Sequence, residues 1–161
     1  MDRRNDPVRE NCKMVIMISA CLLGQNCKYS GGNNYSEKVI EFVKGHDIIP
    51  VCPEIEGGLP VPRIPCEIVN GIVTGSDGIS RDAEFRKGSE KCLELAKEKN
   101  VDLAILQPRS PSCGAGKIYD GTFSGKLTEG NGVFAELLME NGIRVVDVEK
   151  LDDEGRSKTC L

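Results

Sequence analysis

Eight cysteines in 161 residues are the part of this sequence best suited to chemistry. They form no CxxC pair, and one histidine, His46, is all that is present to complete a mixed site. Zinc ribbons and thioredoxin-like redox pairs lose support accordingly. Three of the thiols share a context. Cys21 follows the apolar run "MVIMIS" (14–19), Cys52 follows "DIIPV" (47–51), and Cys113 lies in the turn "RSPSCG" (109–114) beyond "VDLAIL" (101–106). A structural cysteine packs inside such a run as a small hydrophobe. A cysteine just past it is placed to meet a ligand.

Thiolates that converge from remote positions select zinc, copper or an iron–sulfur cluster. Three ligands on a cubane of four irons would leave one iron open to a substrate atom, and zinc with three cysteines and water offers similar Lewis acidity. Spacing leaves the identity of the metal open. Cys27 shares the first loop with Cys21 and is a further candidate ligand, although five intervening residues can carry it away. Cys92 falls on an apolar helix face and reads as core, Cys66 borders a hairpin, and Cys12 and Cys160 lie in the terminal segments. Glu54 stands two residues beyond Cys52, where it could shuttle protons if a partly dry pocket raised its pKa. Ser110 and Ser112 flank Pro111 and could position substrate or relay a proton; ordinary turn hydrogen bonding is the plain alternative. Tyr29 and Tyr119 could stack on a planar substrate. "GAGKIYDG" lacks the spacing of GxGxxG, and "GTFSGKL" is too short for a P-loop and carries Leu127 where a magnesium-binding hydroxyl belongs.

The elements that must position these groups alternate. Strands are expected at the three runs named above and at "IRVVDV" (143–148). Ser36 caps a short helix with Val39, Ile40 and Val43 on one face, ended by Gly45. A second helix is expected over 81–99, with Phe85, Cys92, Leu93 and Ala96 inward, and a third carries Phe134, Leu137 and Leu138 and stops near Gly142. Asn70-Gly71 between β-branched pairs predicts a hairpin. "CPEIEGGLPVPRIP" reads as incompatible with regular structure, and the Gly-rich stretch after Cys113 as turns. The expected fold is a small three-layer, Rossmann-like α/β domain with a mainly parallel sheet of about four strands and an inserted hairpin. In such a sheet the carboxyl ends of the strands share one edge, where ligands bind. The expected division is a loose extension over 1–13, one domain over 14–150 and a tail over 151–161.

Composition narrows the function. A net charge of -4 argues against nucleic acid as the main partner, since phosphate binding needs clustered Lys and Arg. Hydrophobic residues at 39% and charged residues at 29% suit a soluble globular chain, and no apolar run approaches membrane-spanning length. The first residues lack the apolar stretch of a signal peptide, so a cytoplasmic location is expected. Cysteines there are seldom disulfides.

Three stretches, "ISACLLGQNCKYSGG", "VCPEIEGGLPVPR" and "RSPSCGAGKIYDGTFSG", together resemble the 2-thiouracil desulfidase family, over residues 14 to 146. The resemblance implies a [4Fe-4S] cluster whose three cysteine ligands fall on Cys21, Cys52 and Cys113, with the fourth iron free to take sulfur from a thiolated pyrimidine. It implies Glu54 and Ser110 as catalytic groups, with Ser112 and Tyr29 kept as substrate-binding candidates. The implied reaction is non-redox: water replaces sulfur, giving the oxo base and hydrosulfide, which leaves or passes to an acceptor. The implied partner is a small thiolated base or related thioamide, with neither nucleic acid nor membrane involved. Two other readings stand beside it. One is a non-enzymatic iron–sulfur or zinc protein that carries or senses sulfur or metal. The other is a cofactor-free enzyme with Cys113 as nucleophile, for which no histidine partner is evident.

Overall fold

The computed structural model describes residues 13–151. In chain order the elements begin with β1 (Val15–Ser19), α1 (Glu37–Val43), β2 (Asp47–Val51), α2 (Pro53–Glu56), β3 (Cys66–Val69) and β4 (Ile72–Gly75). They continue with α3 (Asp82–Glu98), β5 (Leu103–Leu106), β6 (Lys117–Tyr119), β7 (Leu127–Glu129), α4 (Val133–Glu140) and β8 (Arg144–Asp147). Short 3-10 turns occupy Ala20–Leu23 and Val148–Lys150.

The expected strands pair in parallel in the order β2-β1-β5-β8. The two central strands, β1 and β5, are almost wholly apolar because both faces of the sheet are covered there, while the edge strand β2 stays largely exposed. Ile16, Ile18, Leu103 and Ile105 point to the layer holding Val39, Phe42 and Val43 of α1. Met17, Ala104 and Leu106 point the other way, onto Cys92, Leu93 and Ala96 of α3 and Phe134 and Leu138 of α4. Each large side chain so buried contributes about 1.5–3 kcal/mol. The result is the expected three-layer arrangement, with Cys92 in the core.

From β1 the chain steps to β2 on one side, then crosses back through α3 to β5 on the other. The direction of winding therefore reverses between β1 and β5. At such a point the outgoing loops diverge and leave a crevice at the carboxyl edge. Asn70 and Gly71, both at positive φ (50° and 81°), make the turn of the β3–β4 hairpin as their sequence predicts. Ser36 caps α1, its hydroxyl accepting from the Val39 N–H at 3.3 Å.

Two expectations need correction. Pro53–Glu56, inside the stretch read as irregular, forms a helical turn with Cys52 at its N-cap and Pro53 at the first position. Proline fits there because its missing N–H has no partner in a first turn. The Gly-rich segment after Cys113 holds the antiparallel pair β6–β7, with Lys117 opposite Glu129 and Tyr119 opposite Leu127. Cys12, Cys160 and nearly all of the proposed terminal extension and tail lie outside the described residues. Leu151, the last described residue, is fully buried against the β1 face. Among the described residues no helix is long and apolar enough to cross a membrane.

Candidate functional site

The ends of β1, β2 and β5 open onto one cavity of about 670 Å³. Cys21, Cys52, Cys113, Glu54, Ser110, Ser112 and Tyr29 all line it, so every site residue singled out in the sequence meets there. Tyr29 stands half-exposed on the rim.

Each thiol is fixed by a different local device. Cys21 sits in the 3-10 turn that leaves β1, closed by Gly24 at a left-handed φ of 97°. Its sulfur accepts from Asn34 Nδ2 at 3.5 Å. Cys52 caps α2, and that short helix is pressed onto α3 by two glycines. A Cβ at Gly88 would lie 1.8 Å from the Pro53 carbonyl oxygen, and one at Gly57 would lie 2.0 Å from the Glu84 carbonyl oxygen. Cys113 belongs to a loop that caps α4. The Pro111 carbonyl accepts from Val133 N–H, and the Ser112 carbonyl accepts from Phe134 and Ala135 N–H at 2.8 and 3.0 Å. Helix-terminal donors that would otherwise lack partners are thereby satisfied.

Glu54 and the serines form a continuous line. Ser112 Oγ donates to Glu54 Oε2 at 2.6 Å, and Ser110 Oγ lies 2.9 Å from Ser112 Oγ. Ser110 Oγ also accepts from the N–H groups of Ser112 and Cys113, each at 3.0 Å. With Ser112 donating to the carboxylate, Ser110 is the donor to Ser112. Ser112 is fully buried, so it meets the cavity only behind Ser110 and Glu54.

The thiols are electrostatically unlike one another. Hydrogen bonding from the Cys27 thiol holds Cys21 down to about 7, assisted by Asn34 and opposed by burial and by Glu54. The same thiol lowers Cys52, against burial and Glu54, with Arg63 assisting. Cys27, as donor to both sulfurs, is pushed far up. Burial, followed by Glu54, drives Cys113 well above an ordinary thiol. Burial also raises Cys66, and it pushes Cys92 up to about 12.

Sequence reasoning left Cys27 open and missed other neighbours. Cys27 is not carried away by its five intervening residues: the chain reverses at Gly24 and brings it to the same cavity, its carbonyl oxygen 3.8 Å from Cys52 Sγ. Arg63 Nη2 donates to the Cys27 carbonyl at 2.9 Å, and Lys28 Nζ donates to Asn34 Oδ1 at 3.2 Å. Both cations line the cavity. The outer rim comes from the β6–β7 connection. Glu67 of β3 holds it by accepting from the N–H groups of Gly121 and Phe123 at 2.9 and 3.1 Å, leaving Phe123 at the opening with φ 56°. A lone carboxylate in a hairpin gives no sequence signal for this.

Among the described residues no three His, Cys, Asp or Glu side chains approach closely enough to hold a single metal ion. A zinc ion needs sulfurs about 2.3 Å from one point. Three soft sulfurs lining one cavity are a donor set that suits a thiophilic centre such as an iron–sulfur cluster.

Fold and cavity thus define a doubly wound α/β domain with a thiol-lined ligand site at its switch point. The model of the 2-thiouracil desulfurase family matches residues 16–150, and the chain belongs to that family. An uncharacterized Bacillus subtilis (strain 168) protein, YbbK, is 40% identical over a match spanning 86% of this chain and 99% of its own. A solved structure of the [4Fe-4S]-dependent thiouracil desulfidase TudS superposes with a TM-score of 0.85 at 35% identity, covering 92% of this chain and all of that one.

Proposed function

We propose that this chain is a cytoplasmic desulfidase that removes sulfur from a small thiolated pyrimidine such as 2-thiouracil. The product is the oxo base with hydrosulfide, which leaves to solvent or to an acceptor. Cys21, Cys52 and Cys113 would hold a [4Fe-4S] cluster, consistent with their soft donor set around one cavity. What such a group supplies when bound is soft Lewis acidity toward a thiocarbonyl sulfur, which eases the departure of sulfide.

The protein's own part is to deliver water. A water resting against Ser110 gives its proton to Ser110 Oγ as Ser110 passes its own to Ser112 and Ser112 passes one to Glu54. One proton thereby arrives on the carboxylate and the hydroxide attacks the ring carbon. The two N–H donors on Ser110 Oγ stabilise negative charge along this line as it develops. Glu54 then returns the proton to the departing sulfur, which leaves as hydrosulfide, and the proton left on the new hydroxyl passes to solvent to give the oxo base. Tyr29 and Phe123 offer ring faces at the opening to a flat base. The observation that carries this reading is the unbroken Ser110–Ser112–Glu54 line beside the thiols.

The test is protein purified without oxygen. Iron and acid-labile sulfide should be present, and each of Cys21→Ala, Cys52→Ala and Cys113→Ala should lose them. Sulfide release from 2-thiouracil should vanish in Glu54→Gln with the iron content intact. Zinc in place of iron, or a loaded protein that turns over no thiolated base, would overturn the proposal.

A further inference from the structure

Cys27 has no part in the reaction above, yet it is among the most closely engaged thiols in the molecule. It is 5% exposed and lines the same cavity as Cys21 and Cys52. Cys52 Sγ also lies 3.8 Å from the Cys27 carbonyl oxygen, whose other partner is the Arg63 guanidinium. The two side chains therefore share one small space, although 25 residues separate them in the chain. Arg63 holds the Cys27 backbone in place there. The pair differs in access: Cys52 is partly exposed, whereas Cys27 is buried.

An exposed sulfur backed by a buried one is the arrangement of an attacking and a resolving thiol. We propose that Cys52 and Cys27 form a reversible modification site for low-molecular-weight disulfides when no metal occupies Cys52. In the first step Cys52 sulfur attacks a disulfide RSSR, giving a Cys52–S–SR mixed disulfide and RSH. In the second, Cys27 sulfur attacks Cys52 sulfur and displaces the second RSH. The two cysteines lose their thiol hydrogens and two electrons, and the small disulfide gains both. Closing the bond brings the two sulfurs to about 2.05 Å, and Cys52 Sγ already rests 3.8 Å from the Cys27 carbonyl oxygen. The bridge shields a metal ligand from irreversible oxidation and keeps the pocket closed to metal until thiols reopen it. It depends on the two sulfurs and not on which centre they serve, so it stands or falls separately from the desulfidase reading.

The experiment uses the full-length protein in two portions, one retaining its iron and one treated with a chelator. Each is exposed to oxidised glutathione, blocked with iodoacetamide and digested with trypsin. Peptide 14–28 contains both Cys21 and Cys27, so fragment ions must assign the bridge. In the chelated portion the expected product is a Cys27–Cys52 link, reversed by dithiothreitol and absent from the iron-retaining portion. Cys27→Ser should carry a glutathione adduct on Cys52 in its place, and Cys52→Ser should leave Cys27 unmodified. A lasting glutathione adduct on Cys52 in the wild type, or a bridge from Cys52 to Cys21, would overturn the proposal.

Discussion

Replacing Gly88 with alanine sets two effects of opposite sign against each other. Gly88 lies inside α3, where helix propensity alone favours alanine by about 1 kcal/mol. The added Cβ would sit 1.8 Å from the Pro53 carbonyl oxygen, so α2 must retreat by roughly 1.6 Å to reach ordinary contact. The obstructing atoms are backbone, so no rotamer change relieves them, and the cost falls near the upper end of overpacking, about 3 kcal/mol. The net loss is then about 2 kcal/mol, which lowers Tm by about 4–8 °C in a domain of this size. Glu54 rides on α2, and its 2.6 Å bond to Ser112 cannot survive that displacement. A misplacement of about 1 Å costs on the order of 100-fold in rate. Thermal unfolding and sulfide release from 2-thiouracil, measured on one preparation, check both numbers, and iron per chain shows whether Cys52 moved as well. A Gly88→Ala protein that melts higher than wild type and turns over substrate at the same rate would refute the reasoning.

Ser112→Ala should lower turnover about 10²–10⁴-fold with iron retained. Adding Glu54→Gln to it should cost little more, because both act on one proton line; additive losses in that double variant would show separate roles. Ser36→Ala, remote from the cavity, should cost about 1 kcal/mol in urea unfolding and leave turnover unchanged. Asp77 is held at about 2 by its hydrogen bonds from Arg81 and from the Ile79 N–H. Its folded pKa is depressed, so its contribution is present above the ordinary carboxylate range and is lost as pH falls toward 2. Arg81→Met should therefore shift the acid unfolding transition to higher pH, read by circular dichroism.

The positions of Cys21, Cys52 and Cys113 were legible because each lies in the connection beyond an apolar run, and parallel strands bring their carboxyl ends to one edge. The hairpin was legible because Asn70 and Gly71 can both take positive φ. Cys27 was not, since its place depends on a reversal at Gly24 that leaves no periodic trace. The helical turn at Pro53–Glu56 was hidden by the surrounding prolines and glycines, which read equally well as loop. Its fixing by Gly57 and Gly88 is a tertiary contact between segments some thirty residues apart, and no local pattern records it. Ser112 and Glu54 were each suspected from their motifs, but their direct bond depends on how α2 and α4 seat their loops.

Glu67 holds the outer wall of the cavity by two backbone bonds, and that wall contributes none of the sulfurs or proton carriers. The rim that meets an entering base is thus mounted on a short ribbon, while the three strand-end thiols and the Ser110–Ser112–Glu54 line sit on the turns at the carboxyl edge of the sheet. Relatives could exchange the Phe123 segment and admit bulkier or smaller thiocarbonyl compounds without retooling the interior, an arrangement that lets diet change while digestion stays the same.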